Sequence, residues 1–223
     1  MSVHRTVFAE QTGPERLADG IIHALGISLS LVAVAVLLRM VGLAGDPLAL
    51  AATLIYGFGM IAMFSFSASY NLVLGGKWKE WLRRCDHSAI FLMIAGTYTP
   101  FTLVSIGGKT GFGLLALVWL IAIFGLVMRF GWPHRLERLS VALYLAMGWT
   151  GIIAAGSIVA ALPTTTLILL AAGGILYSVG VIFHLWKSLQ FQNAIWHAFV
   201  LVATGCFFMG ISAALAKAVQ SPL

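Results

Sequence analysis

The chain has 223 residues, of which 61% are hydrophobic and only 9% charged, and its formal net charge is +6. A water-soluble domain does not carry that balance, so the composition implies apolar runs of about 20 residues that cross a bilayer as helices. The basic residues sit mostly in short segments between those runs, which fits orientation in a membrane and sets nucleic acid aside as a partner.

Residues 1–19 read as a polar N-terminal arm. They contain Glu10, Glu15 and Asp19 and lack the short apolar core of a cleavable signal peptide. Seven apolar stretches follow, at residues 20–41, 48–74, 87–106, 111–130, 139–162, 166–186 and 193–216, and residues 217–223 form a short tail. Asp46-Pro47, Gly75-Gly76, Gly107-Gly108 and Pro163 punctuate them as turn or helix-start signals. Backbone polar groups cannot cross lipid unpaired, so each stretch is expected to be a helix. The fold class is therefore all-α, with residues 20–216 forming one bundle of seven transmembrane helices. Cys85 and Cys206 make no disulfide framework and show no metal-ligand spacing.

Lys and Arg are unevenly divided between the two sides of such a bundle. Ten fall on the side of the N-terminus (Arg5, Arg16, Lys77, Lys79, Arg83, Arg84, Arg129, Arg135, Arg138 and Lys187) and three on the other (Arg39, Lys109 and Lys217). The excess places the N-terminus in the cytoplasm, and seven spans place the C-terminus outside, as a multi-pass protein of the cell (inner) membrane. Reporter fusions at the two termini test this; a cytoplasmic reporter signal at both ends would require an even number of spans.

Topology sets depth, and depth gathers the polar residues. Ser67 and Asn71 close the second stretch, Asp86 and His87 open the third, Asn193 and His197 open the seventh, Asp19 and His23 open the first, and His184 ends the sixth. All fall at the cytoplasmic end. The pairs Ser67/Asn71, Asn193/His197 and Asp19/His23 each step by four, so each lies on one helix face. Ionisable groups in a membrane span generally face an interior or a wet cavity and mark function. Asp86 and His197, a carboxylate and an imidazole from separate helices, are the pair most expected to work together. Asp19 reads as a favourable charge at the positive end of the first helix. Ser67 and Asn71 on their own suit interhelical hydrogen bonding. His184, next to Trp186 and Lys187, suits the interface. His87 is either a ligand neighbour or a helix-start residue, and His4 and His134 read as solvated.

The segments Ala18-Asp19-Gly20-Ile21-Ile22-His23-Ala24-Leu25-Gly26, Asp86-His87 through Ala95-Gly96-Thr97-Tyr98-Thr99-Pro100, Gly173 to Gly180 and Ala194-Ile195-Trp196-His197 closely resemble the hemolysin III family. These are bacterial relatives of the progestin and adipoQ receptors, which include the adiponectin receptors. The resemblance implies a zinc ion held by three histidines, with a serine beside it and an aspartate reaching it through water. Carried over, the serine is Ser67, the aspartate Asp86 and one histidine His197, but the other two histidine positions are Asn71 and Asn193. Zinc takes imidazole or thiolate, and a neutral amide is a poor replacement. The implied zinc site thus keeps one direct ligand, with His23, His87 and His184 as substitutes to consider.

Three functions follow. The leading one is a non-enzymatic, lipid-responsive membrane-homeostasis protein that binds a membrane lipid or fatty acid in the bundle, with a degenerate zinc site. The alternative is a metal-dependent hydrolase of lipid amides or esters, with Asp86 as base and Ser67 as the positioning group. The third, after the family's name, is a pore-forming or cytolytic protein, which wants polar residues along whole helices.

Overall fold

Helix α1 (Gly13–Ala44) begins at a fully formed cap. The Thr12 hydroxyl accepts from the Glu15 backbone N–H, Glu15 accepts from the Thr12 N–H at 2.8 Å, and Pro14 fills a first-turn position that needs no N–H. Gly45, at φ 71°, ends the helix in the left-handed conformation that glycine adopts without cost. Asp46 then caps α2 (Pro47–Leu72), its Oδ1 accepting from the Leu48 and Ala49 N–H groups. With only Gly45 and Asp46 between them, α1 and α2 become antiparallel neighbours. This architecture comes from a computed structural model that describes residues 12–73, 75–132 and 137–220; His4 and His134 lie outside them.

The remaining elements are α3 (Lys77–Pro100), which continues into a π-helical turn (Phe101–Ile106), α4 (Gly108–Gly131), α5 (Glu137–Gly148), a 3-10 turn (Thr150–Ala154), α6 (Ala155–Ala161), α7 (Thr164–Leu185) and α8 (Gln192–Gln220). Among the described residues there is no strand, and seven helical segments are long and apolar enough to cross a membrane. Three details depart from the sequence reading. Helix α1 starts at Gly13 rather than residue 20, and α3 at Lys77 rather than residue 87, because capped or amphipathic polar turns extend the apolar cores. The fifth span is broken. Tyr98 bridges the break, its hydroxyl donating to the Gly148 carbonyl at 2.7 Å and accepting from the Gly151 N–H at 2.9 Å. The π turn follows Pro100, whose missing N–H interrupts the regular ladder; there the Thr102 hydroxyl bonds the carbonyls of Tyr98 and Thr99.

Packing is closest between α2 and α3 and between α7 and α8, and α1 lies against both α2 and α8. Two glycines let α2 and α3 touch backbone to backbone. A Cβ on Gly59 would stand 3.0 Å from the Leu92 carbonyl oxygen, and one on Gly96 would stand 3.2 Å from that of Ile55. Helix α1 has two faces of opposite character. Leu17, Ile21, Leu25, Leu29, Val32 and Val36 are exposed, as lipid-facing residues are, whereas Asp19, His23, Gly26 and Ser30 are buried. Its polar face points inward and its apolar face outward.

Candidate functional site

The inward face of α1 meets α2 and α8 at one end of the bundle, the end where α1 begins. Asp19 is 0% exposed, His23 1%, Ser67 7% and His197 8%, so the cluster is shut off from both water and lipid. His197 Nδ1 donates to Asp19 Oδ1 at 2.6 Å, and its Nε2 lies 3.2 Å from Ser67 Oγ. His23 Nδ1 donates to the Asp19 backbone carbonyl at 2.8 Å, and its Nε2 lies 3.1 Å from the same Ser67 Oγ. The two rings meet edge to face, with centroids 4.4 Å apart. Asp19 therefore fixes both rings, one through its carboxylate and one through its carbonyl, and aims their far nitrogens at one hydroxyl.

Local structure explains how the chain holds these groups. The four-residue step puts Asp19 and His23 on one side of α1, and His23 bonds back one turn to the Asp19 carbonyl. Glu15, already part of the α1 cap, also accepts from the Phe191 N–H at 2.9 Å. Phe191 is held there at φ 58°, immediately before α8 begins. Glu15 thus ties α1 to the start of α8, one turn before Asp19 reaches His197.

The zinc position implied by the sequence resemblance does not fit the residues present. Asn71 Nδ2 donates to the Ser67 carbonyl at 2.9 Å and lies 3.4 Å from Ser67 Oγ, while Asn71 Oδ1 accepts from Asn193 Nδ2 at 3.5 Å. The two amides use their polar atoms on each other and on the backbone. Neither presents the imidazole lone pair that zinc would take.

The carboxylate hydrogen-bonded to His197 is that of Asp19, while the expected partner Asp86 reaches the same cluster from α3. Asp86 hydrogen-bonds Ser67 and lies within electrostatic reach of His197, Arg129 and Asp19, so α1 and α3 each bring a carboxylate to the cluster. His87 lies inside α3 rather than at its start, with Nδ1 bonded to the Arg83 carbonyl at 2.7 Å and its own carbonyl accepting from the Tyr144 hydroxyl. His184 packs its ring against Trp196, centroids 5.0 Å apart, and its carbonyl accepts from Gln192. Of the three substitute histidines, His23 joins His197. Asp19, His23 and His197 each offer a ligand atom within 4.8 Å of the others, a group able to take a metal ion. The signal that identifies Asp19 in the sequence is its four-residue step to His23.

The family profile described as Haemolysin-III related matches residues 14–208. The chain is 40% identical over 194 residues to "Hemolysin-3 homolog" of Bacillus subtilis (strain 168), covering 87% of this chain and 91% of that protein. It is 39% identical over 194 residues to "Hemolysin-3" of Bacillus cereus, covering 87% and 89%. Similarity extends to "Monocyte to macrophage differentiation factor" of Homo sapiens, 30% identical over 168 residues, covering 70% and 67%.

Proposed function

This chain belongs to the Haemolysin-III related family and is a multi-pass membrane protein, and we propose from that premise that it acts as a non-enzymatic, lipid-responsive component that helps maintain membrane properties. The observation that supports this reading is a groove of about 450 Å³ on the outer side of α1, lined by Gly13, Arg16, Leu17, Gly20, Ile21, Ala24 and Leu72. Its walls are apolar apart from Arg16, whose Nε is buried without a hydrogen-bond partner. An acyl chain suits the apolar length, and an anionic headgroup or fatty-acid carboxylate suits the guanidinium. Gly20 and Ala24 follow Asp19 and His23 directly in α1. Lipid in the groove therefore presses on the same helix turns that hold the buried cluster.

The experiment is thermal unfolding of the detergent-purified protein titrated with fatty acid or anionic phospholipid, against a zwitterionic lipid. Anionic lipid is expected to raise the midpoint more, and Arg16→Ala to remove the difference. Equal effects of both lipids, or an unchanged response in Arg16→Ala, would count against the reading.

One arrangement favours the hydrolase reading as a second proposal. Asp19, His197 and Ser67 stand in the order carboxylate, imidazole, hydroxyl that activates a nucleophile or a water. Release of acid from a lipid amide or ester, lost in Ser67→Ala, is its test. The cytolytic reading draws on the names of the Bacillus relatives alone, and leakage from dye-loaded vesicles tests it.

A further inference from the structure

Arg16 and Lys79 bring two positive charges together with no anion between them. Arg16, in the first turn of α1, lines the apolar groove with its Nε buried, and among the described residues its guanidinium makes no hydrogen bond or ion pair. Lys79, in the first turn of α3, folds back over the end of α2. Its Nζ donates to the Tyr70 and Val73 carbonyls and stands 4.6 Å from the centre of the Tyr70 ring. Leu72, part of the groove wall, lies between those two carbonyls in the chain, so the ammonium is held beside the groove. Two of its three protons are used and one remains to give. The two cations lie within electrostatic reach of each other. Nearby carboxylates are engaged elsewhere: Glu15 by the Thr12 and Phe191 N–H groups, Glu80 by Arg83 and Arg84, and Asp86 by Ser67. Asp86 also lies within electrostatic reach of Lys79 without forming an ion pair with it. Trp78 and Trp81, both exposed and meeting edge to face with centroids 6.1 Å apart, place this corner at the depth of lipid headgroups.

Resting on the lipid reading of this groove, we infer that its occupant is a phospholipid of the phosphomonoester class, its phosphate held between Arg16 and Lys79 and an acyl chain lying along Gly20 and Ala24. A fatty-acid carboxylate offers two oxygens in one plane, which a single guanidinium fork satisfies, and it would leave Lys79 unused. A phosphodiester carries one negative charge against two cations. A terminal phosphate carries about −1.5 to −2 and three acceptor oxygens, which match both cations and the N–H groups they still offer. Lysine serves phosphate as a point charge and arginine as a fork, so the two can hold one group from different sides. Gly20 leaves room for the chain: a Cβ there would already stand 3.5 Å from Leu72, and a longer side chain would fill the groove.

The test is calorimetric titration of the full-length protein in detergent with four probes. Three are phosphatidic acid, phosphatidylglycerol and a fatty acid of matched chain length; the fourth is glycerol 3-phosphate, which has the phosphate without chains. Phosphatidic acid is expected to bind at least about fivefold more tightly than phosphatidylglycerol, the gain typical of one basic residue at an anionic membrane surface. Lys79→Gln, which keeps a donor for the carbonyls of α2 but drops the charge, should remove that margin. Gly20→Leu should weaken both phospholipids, and glycerol 3-phosphate should bind far more weakly than either. Equal binding of the two phospholipids, a margin that survives Lys79→Gln, or glycerol 3-phosphate binding as tightly as phosphatidic acid would overturn the inference. If Lys79→Gln fails to give a monodisperse helical protein, the ranking of the four probes in the parent decides. Equal binding of all three lipids, lost in Arg16→Ala, would sink this inference and spare the lipid reading. A parent with no preference for anionic lipid would sink both.

Discussion

Asp19→Ala is expected to be the most damaging single substitution at the buried end of the bundle, lowering stability by about 1–3 kcal/mol, the cost of leaving a buried hydrogen-bond donor unsatisfied. Asp19 is fully buried, and among the described residues its carboxylate is the one group bonded to His197 Nδ1. Truncation leaves that N–H without an acceptor. The magnitude is diagnostic. Hydrogen bonds between membrane helices are worth only about 0.6 kcal/mol on average, so an effect several times larger marks a bond to a carboxylate with no substitute partner. Asp19→Asn keeps an oxygen able to accept from His197 and should cost less. In a double-mutant cycle, Asp19→Ala with His197→Ala should cost less than the two single changes added together, because the second change removes the group that the first leaves unpaired. Thermal or denaturant unfolding of the four proteins checks this; strict additivity would mean that Asp19 and His197 stabilise α1 and α8 independently.

The second large effect is a gain. Asn71→His with Asn193→His, made in a His23→Ala protein, is expected to bind zinc that the His23→Ala parent does not. Asn71 lies beside Ser67 Oγ, Ser67 Oγ lies 3.2 Å from His197 Nε2, and Asn193 already reaches Asn71. Two imidazoles at those positions would therefore meet a third, and three histidines are a sufficient catalytic-type zinc shell. Either change alone should gain little, because the shell remains incomplete. Binding confined to the folded state adds about 2.7 kcal/mol at a hundredfold excess over Kd. The ring nitrogens must be deprotonated to bind, so this stabilisation is present above the ordinary histidine pKa of about 6.5 and lost as pH falls through it. It should also vanish on chelation. A double variant that takes up no more zinc than its parent would show that these positions do not converge as the amide contacts indicate.

Much of this arrangement is legible in the sequence because membrane helices write themselves plainly. Apolar runs give the seven spans, and punctuation such as Gly45-Asp46-Pro47 gives the connections. The four-residue steps at Ser67/Asn71, Asn193/His197 and Asp19/His23 give the faces and the common depth. Helix starts are less legible where the first turns are polar. The Thr12–Glu15 capping box extends α1, and Lys77-Trp78-Lys79-Glu80 extends α3, beyond anything an apolar window detects. The broken fifth span depends on Tyr98, a residue from another helix. The least legible feature is which carboxylate meets His197. Asp19 and Asp86 share a depth, and depth alone does not order helices around a bundle. The contact of α1 with both α2 and α8 brings Asp19 to His197, whereas α3 packs chiefly on α2 and brings Asp86 to the edge of the cluster.

The most direct test of a functional centre built on α1 compares Asp19→Asn with Asp86→Asn by the coupling of each to His197→Ala, read from unfolding in double-mutant cycles. Both variants keep side-chain volume and remove one carboxylate at the same depth. The coupling should be larger for Asp19→Asn, whose carboxylate bonds the His197 ring. A larger coupling for Asp86→Asn would return the centre to α3 and contradict the account.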